Sequence, residues 1–114
     1  MNELPIWDPT ALSRMMGDNP LLQRSLLEKF VIKAQEQVLL IVQAAEIGDM
    51  VKSGSIAHAL KSSSRTIGAM ELGELCMKIE NAGKARNMKV CKAEVELLNE
   101  TFTAVANAIK VSLK

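Results

Sequence analysis

Aromatic side chains are scarce in this sequence of 114 residues: they make up 3 % of it, and there is no tyrosine. Apolar residues still amount to 48 %, so the core must be built from Leu, Ile, Val, Ala and Met. That mixture favours helices over strands. No stretch shows the alternation of apolar and polar residues that is typical of a half-buried strand. We therefore predict an all-α protein.

The chain also lacks long apolar runs, because charged residues, 24 % of the total, interrupt them every few positions. No segment approaches the roughly 20 apolar residues that a membrane-spanning helix needs. The first five residues, Met-Asn-Glu-Leu-Pro, do not have the charged and apolar regions of a signal peptide. We expect a cytoplasmic protein without membrane contact, folded as a single domain over residues 1–114.

An excess of charge of one sign is missing too. The net charge is +1, and neither a basic arm nor a group of exposed aromatics is present, which argues against nucleic acid as a partner. Cysteine is limited to Cys76 and Cys91, which do not form a C-x-x-C pair. One histidine could not complete a zinc site with them, so we expect two reduced thiols that pack in the core and no bound metal.

Glycine, proline and capping residues divide the chain into five predicted helices, which span residues 9 to 16, 20 to 47, 50 to 65, 70 to 83 and 87 to near the end. Asp8 and Pro9 should start the first. Either Asn19 or Asp18 should cap the second, and Asp49 and Asn87 should cap later ones. The apolar stripe expected of the long second helix consists of Leu22, Leu26, Phe30, Ala34, Val38, Ile41 and Ala45. Short connections predict an antiparallel up-down-up-down four-helix bundle, with the short first helix across one end.

His58 is the only histidine, and helical spacing indicates what surrounds it. One stripe of its helix carries small and basic residues, namely Gly54, His58, Lys61, Ser62 and Arg65. The opposite stripe, which should face the core, consists of Ala57, Leu60, Ser64 and Ile67. A single histidine is often an ordinary surface or core residue. Cations on its own stripe instead favour an exposed imidazole that meets a phosphoryl group.

These residues fit a known pattern. His58-Ala-Leu-Lys61-Ser-Ser-Ser64, then Ile67-Gly68-Ala69, then Ile79-Glu80-Asn81-Ala82-Gly83, resemble the histidine-containing phosphotransfer (HPt) domain of two-component phosphorelays. The likeness covers nearly the whole chain. The Trp-Asp-Pro start, the Gly-Asp-Asn-Pro break and the long second helix resemble those of HPt modules at the C-terminal ends of hybrid sensor kinases. It implies that His58 accepts a phosphoryl group from a receiver aspartate and passes it to another receiver. The family usually has glycine where this chain has Ser62, so the docking face carries an additional hydroxymethyl group.

The resemblance also assigns roles to two neighbours of the histidine. Lys61 corresponds to the family lysine beside the phosphate, and Glu80 to a residue that orients the imidazole. Physical reasoning agrees, because a carboxylate that accepts from one ring nitrogen fixes the tautomer and the ring direction. The tight turn at Gly68 should make two helices antiparallel, and counting back from Gly83 brings Glu80 near the level of His58.

An HPt module is a phosphoryl carrier and not an autonomous enzyme. The sequence accordingly shows no Gly-rich phosphate loop and no Asp or Asn set resembling the magnesium ligands of a kinase. We expect no cofactor of its own, with Mg²⁺ supplied by the receiver. The expected partners are response-regulator receiver domains and a hybrid sensor histidine kinase, and the expected state is a monomer.

Two other functions compete with this one. A phosphate-independent adaptor would use the same face for docking alone. A metal-binding or haem-binding bundle would need His58 in the core beside one of the seven methionines. Most methionines are expected to fill the core, although Met15 and Met16 are candidates for an apolar docking ring near His58. Met50 is too far along the helix to touch His58.

Overall fold

The computed structural model describes residues 6–114, and within them it contains six α-helices and no strand. The helices are α1 (Ala11–Met16), α2 (Pro20–Glu46), α3 (Met50–Ile67), α4 (Met70–Lys84), α5 (Met88–Glu96) and α6 (Leu98–Ser112). The prediction of an all-α fold is confirmed. Residues 1–5, which were compared with a signal peptide, lie outside the described range. None of the described helices is long and apolar enough to cross a membrane.

Helix α1 begins at Ala11, two residues later than predicted. Asp8 accepts hydrogen bonds at one oxygen from the Thr10 amide, at 2.9 Å, and the Thr10 hydroxyl, at 2.7 Å, so Pro9 and Thr10 form a turn before the helix. Trp7 donates its indole N–H to the Ile67 carbonyl at 2.8 Å. The short helix therefore lies against the C-terminal end of α3.

The long helix α2 begins as predicted, with Pro20 in its first turn and the Asn19 side chain accepting from the Leu22 amide at 3.1 Å. The prediction that Leu22 belongs to the buried stripe is wrong. Leu21 and Leu22 are exposed because the first turn of α2 contacts the preceding segment through Gln23, which donates to the Gly17 carbonyl at 2.7 Å. Leu27 is the first buried residue of α2. From Phe30 onward the predicted stripe is buried.

Helices α3 and α4 form an antiparallel pair joined by a single tight turn. The Asp49 side chain caps α3 by accepting from the Lys52 amide at 3.0 Å, and Gly68 ends the helix with a φ of 95°. A Cβ at Gly68 would collide with the Asp8 carbonyl oxygen, so only glycine fits there. The stripe predicted to face the core, Ala57, Leu60, Ser64 and Ile67, is buried.

The predicted last helix is in fact two helices, because the chain turns at Leu97 between α5 and α6. The Leu97 amide donates to the Glu94 carbonyl at 3.1 Å, a tight i to i−3 bond, and the Leu97 side chain is half exposed. The predicted inward residues on both sides of this turn, such as Val95, Leu98 and Phe102, are nevertheless buried. Together α5 and α6 form the fourth column of the bundle.

The core lies between α2, α3, α4 and the α5–α6 column, and its largest fully buried side chains are Ile41, Leu60, Leu72, Ile79, Leu98 and Ile109. Cys76 and Cys91 are free and buried, as expected of packing residues. Burial raises the pKa of the Cys76 thiol to about 12, so it stays protonated at neutral pH. The rigid packing of α3 on α4 then determines where the side chains around His58 lie.

Candidate functional site

His58 projects from α3, and its side chain is 61 % exposed. Its exposure follows from its position on the helix, because Ala57 and Leu60 are anchored in the core and turn the imidazole outward. On the side of the ring toward α4 lies Glu80, whose side chain is only 7 % exposed. The antiparallel α3–α4 pair thus places a buried carboxylate against an exposed imidazole.

Glu80 contacts both residues of the predicted site. Its Oε2 lies 2.7 Å from Nδ1 of His58, and its Oε1 accepts from Nζ of Lys61 at 2.6 Å. The hydrogen bond from Lys61 is the largest influence on the pKa of the Glu80 carboxyl and lowers it. Burial raises this pKa, whereas hydrogen bonds with His58 and Lys84 lower it further. The resulting pKa of Glu80 is about 2. The carboxylate is therefore ionised at neutral pH.

The ionised state of Glu80 determines how the imidazole is used. A carboxylate without a proton can only accept, so Nδ1 of His58 must carry the hydrogen of their shared bond. In the neutral ring, Nε2 then holds the free lone pair. Because the ring is mostly exposed, this nitrogen can be approached from solvent as a nucleophile or proton acceptor.

Lys84 places a second ammonium group at Glu80, beside that of Lys61, and the sequence interpretation missed it. Its Nζ lies 3.3 Å from Oε2 of Glu80, and its side chain is 72 % exposed. The signal was present, since Glu80 and Lys84 are four residues apart on a helix in the favourable order of acid before base. The site therefore combines one imidazole and two ammonium groups around one carboxylate.

A groove of about 300 Å³ runs between α3 and α4 beside the imidazole, and it is lined by Met50, Val51, Gly54, Ser55, His58, Glu80, Gly83 and Lys84. The prediction that Gly54 lies on an exposed docking stripe is wrong: Gly54 is buried, because α4 packs directly on it. Met50 also lines the groove, eight residues before His58 on α3. The groove therefore extends along the two helices beyond the His58 side chain.

The other residues predicted for the docking face occupy different surroundings. Ser62 is exposed, and its hydroxyl faces the His58 carbonyl oxygen at 3.5 Å. Arg65 is 43 % exposed and extends over Gly73 of α4, with Glu74 at 3.8 Å. Met15 is 59 % exposed, whereas Met16 is half-buried against the core.

Helix α1 holds these two methionines at a distance from the imidazole. It is tied to the Ile67–Gly68 end of α3 by the hydrogen bonds of Trp7 and Asp8. That end lies nine residues beyond His58, or about 14 Å along a helix. The structure does not bring Met15 or Met16 beside His58.

The geometry also bears on the haem or metal alternative. That function needs an imidazole in the core beside methionine sulfur, whereas His58 is mostly exposed and contacts a carboxylate. Within residues 6–114, no group of three or more His, Cys, Asp or Glu side chains is arranged to hold a metal ion. The arrangement at His58 instead suits an anionic group that approaches Nε2 between Lys61 and Lys84.

Comparison with known proteins agrees with this geometry. Residues 25–108 match the model of the Hpt domain. "Multistep phosphorelay regulator 1" of Schizosaccharomyces pombe is 26 % identical over 93 residues, which cover 76 % of this chain and 32 % of that protein. The chain thus spans about a third of the length of that relative.

The fold itself has a counterpart among crystal structures. Histidine-containing phosphotransfer protein B (HptB) of Pseudomonas aeruginosa PAO1 superimposes with a TM-score of 0.87 over 96 % of both chains, at 23 % identity. Since the Hpt model spans most of the bundle, including α3 and α4, the chain belongs to the Hpt domain family, the histidine-containing phosphotransfer carriers of phosphorelays.

Proposed function

We propose that His58 is the residue that carries the phosphoryl group, accepting it from the aspartyl phosphate of one receiver domain and passing it to the aspartate of another. The observation that supports this is the hydrogen bond between Nδ1 of His58 and the ionised Glu80 carboxylate, at 2.7 Å. It leaves Nε2 with a lone pair on an exposed edge of the ring. No other imidazole exists in the chain.

In the transfer step, the Nε2 lone pair forms a bond to phosphorus while the bond between phosphorus and the aspartate oxygen breaks. The electron pair of that bond leaves with the aspartate, which becomes a carboxylate. The imidazole, now substituted at both nitrogens, gains a positive charge. Glu80 accepts from Nδ1 and offsets that charge, and it thus acts as a positioning and counter-charge residue.

Lys61 is proposed to offset the charge of the phosphoryl group. It lies one turn from His58 on α3, its ammonium is held by Glu80 at 2.6 Å, and its side chain is 18 % exposed. An ammonium so placed can approach phosphate oxygens as a compact point charge. Lys84, more exposed and more loosely held, is available for the same task.

The partners follow from the same chemistry. We propose that receiver domains dock over His58, Ser62 and the adjoining groove, and that they bring the Mg²⁺ needed for aspartyl phosphate chemistry. A hybrid sensor histidine kinase is the proposed donor, because the sequence resembles the HPt modules found in such kinases. A monomer in the cytoplasm suits a carrier that must meet two receivers in turn.

The experiment is incubation with a receiver domain labelled by radioactive phosphate, followed by a search for acid-labile, base-stable label on this chain. His58→Gln should abolish labelling. The bundle should keep its helix content and melting temperature, because the replaced side chain is mostly exposed.

Label retained on the His58→Gln protein would contradict the assignment of the acceptor. A folded variant that loses label but keeps all signalling output would instead favour a phosphate-independent adaptor. Binding of the same receiver by both proteins, measured in parallel, separates lost chemistry from lost docking.

A further inference from the structure

The distance between His58 and Glu80 depends on how closely α3 approaches α4, and the two helices meet at glycines near the site. Gly54 of α3 and Gly83 of α4 are both buried, and both line the groove beside the imidazole. Gly83 follows Glu80 by three residues, so it lies on the same side of α4. Any displacement of α4 at Gly83 is therefore transmitted to Glu80.

The two glycines are not equivalent. A Cβ at Gly83 would lie 2.7 Å from the Met50 carbonyl oxygen and 3.3 Å from the Cα of Gly54. Backbone atoms in a helix cannot turn aside as a side chain does. A Cβ at Gly54 would instead lie 3.5 Å or more from its nearest neighbours, in ordinary van der Waals contact.

We propose that Gly83 is a positioning residue for the phosphotransfer site: its lack of a side chain permits the approach of α3 to α4 that brings the Glu80 carboxylate against Nδ1 of His58. The inference rests on the function proposed for His58. It concerns the precision of the hydrogen bond and not the stability of the bundle. Alanine is the better helix former, so without the contact Gly83→Ala would stabilise α4.

The first test is spectroscopic. In the wild-type protein, ¹⁵N NMR of the neutral His58 ring should show the proton on Nδ1, as its bond to Glu80 requires. Gly83→Ala should move the helices apart and release the ring, so that the proton distributes over both nitrogens. A merely structural role of Gly83 would lower stability without changing the tautomer.

The second test is kinetic. Gly83→Ala should slow phosphorylation by a labelled receiver by about tenfold, the lower range for the loss of a partner that orients a reacting side chain. In a Glu80→Ala background the same substitution should add nothing, because the group through which it acts is already gone.

Two matched glycines supply the controls. Gly54→Ala adds a methyl group to the same helix contact without a clash, so the tautomer of His58 should stay as in the wild type. Gly73→Ala places a Cβ 2.8 Å from Cγ of Arg65, a partly exposed side chain that can move away. This variant tests whether crowding at a glycine of α4 far from His58, at the other end of the same helix pair, leaves the site unchanged.

Three results would overturn the assignment. They are an unchanged tautomer in folded Gly83→Ala, equal effects of Gly83→Ala and Gly54→Ala, and a Gly83→Ala protein that does not fold, since Gly83 would then serve the bundle as a whole. If the wild-type chain takes no label, the function proposed for His58 fails. The tautomer measurement would still decide the role of Gly83.

Discussion

At the level of single residues, Glu80 links the chemistry of the site to its structure. It is the one charged side chain that is buried among residues 6–114, and Lys61, Lys84 and His58 all lie within 3.3 Å of its two oxygens. Before phosphorylation, Lys61 therefore already has a carboxylate partner. In the proposed transfer, the phosphoryl group would share that ammonium with Glu80, so the charge on the phosphate would act on the hydrogen bond between Glu80 and His58.

Lys61→Ala should slow transfer and shorten the lifetime of phosphohistidine, because the nearest ammonium is lost. We expect a loss of stability as well, of about 1–2 kcal/mol, since a buried carboxylate loses a charged hydrogen bond. The reason for this loss is the contact of 2.6 Å between the Lys61 ammonium and the Glu80 carboxylate. Urea denaturation and single-turnover phosphotransfer measure the two effects separately.

Lys84→Ala is the matched control, because its ammonium is 72 % exposed and 3.3 Å from Glu80. Its removal should leave stability within about 0.5 kcal/mol of the wild type. If Lys61→Ala lowers stability but leaves transfer unchanged, Lys61 is structural and the role proposed for it is wrong.

At the level of helices, the turn at Gly68 fixes which residues of α3 and α4 face each other. The Ala69 amide donates to the Ser64 carbonyl at 2.8 Å and closes the end of α3. Helix α4 begins at the next residue, Met70, so a short connection holds His58 and Glu80 at the same level. A one-residue change in this turn would rotate α4 by about 100° relative to α3.

Gly68→Ala should destabilise the protein by about 2–4 kcal/mol, from backbone strain at positive φ and from overpacking. The φ is 95°, and the new Cβ would meet the Asp8 carbonyl oxygen and, at 2.9 Å, the Cβ of Ala11. Gly48→Ala separates the two causes, because Gly48 follows the end of α2 with a φ of 78° and its new Cβ would meet only the flexible end of the Met88 side chain, at 3.2 Å. Equal losses for the two variants in urea denaturation would contradict the packing contribution.

Helix boundaries could be predicted wherever a local chemical signal marks them. Asn19, Asp49 and Asn87 each accept from an amide three residues ahead, as their positions suggested. The break at Leu97 could not be predicted, because no glycine, proline or capping residue marks it. There the tertiary packing of α5 and α6 overrides a helical pattern that continues through the break.

The parts of the site that could be predicted are those that follow from helical periodicity and from the register of the antiparallel helix pair. Periodicity indicated an exposed His58, and antiparallel pairing indicated Glu80 at its level; the structure places the two side chains in contact. Gly54 was misplaced, because a stripe of small residues looks the same whether it faces solvent or a neighbouring helix. Only the packing of α4 on α3 distinguishes these cases.

At the level of the whole molecule, the titratable groups that contribute to stability include Glu80, which also belongs to the candidate site. The Arg14 hydrogen bond, followed by those from Thr10, lowers the pKa of Asp8 to about 2, while Lys61 is the main cause of the low pKa of Glu80. Asp8 and Arg14 pair at the surface, where water and salt screen them. Glu80 is buried, so its contribution should dominate the difference in acid sensitivity between variants.

The free energy of unfolding should consequently decrease as the pH falls, over a pH range that is set by the pKa of Glu80 in the unfolded and folded states. Its pKa is about 2 in the folded protein against 4.5 for the unperturbed group, so the folded state binds this proton more weakly than the unfolded state. The stability that Glu80 contributes is fully present above the unfolded value. It is lost as the pH falls through the folded value.

Glu80→Gln removes this titration while keeping the shape of the side chain. Urea denaturation of both proteins between pH 6 and pH 2 should therefore show a wild-type curve that declines more steeply below about pH 4.5. The difference between the two proteins should narrow toward pH 2, because the wild-type carboxyl is then becoming protonated and its bonds to Lys61 and His58 weaken.

Asp8→Asn, measured in the same series with added salt, serves as the surface control. A difference between the wild type and Glu80→Gln that stays constant over this range would show that the Glu80 carboxyl titrates alike in the folded and unfolded chains, and would contradict the stabilisation of the fold by its ionised form.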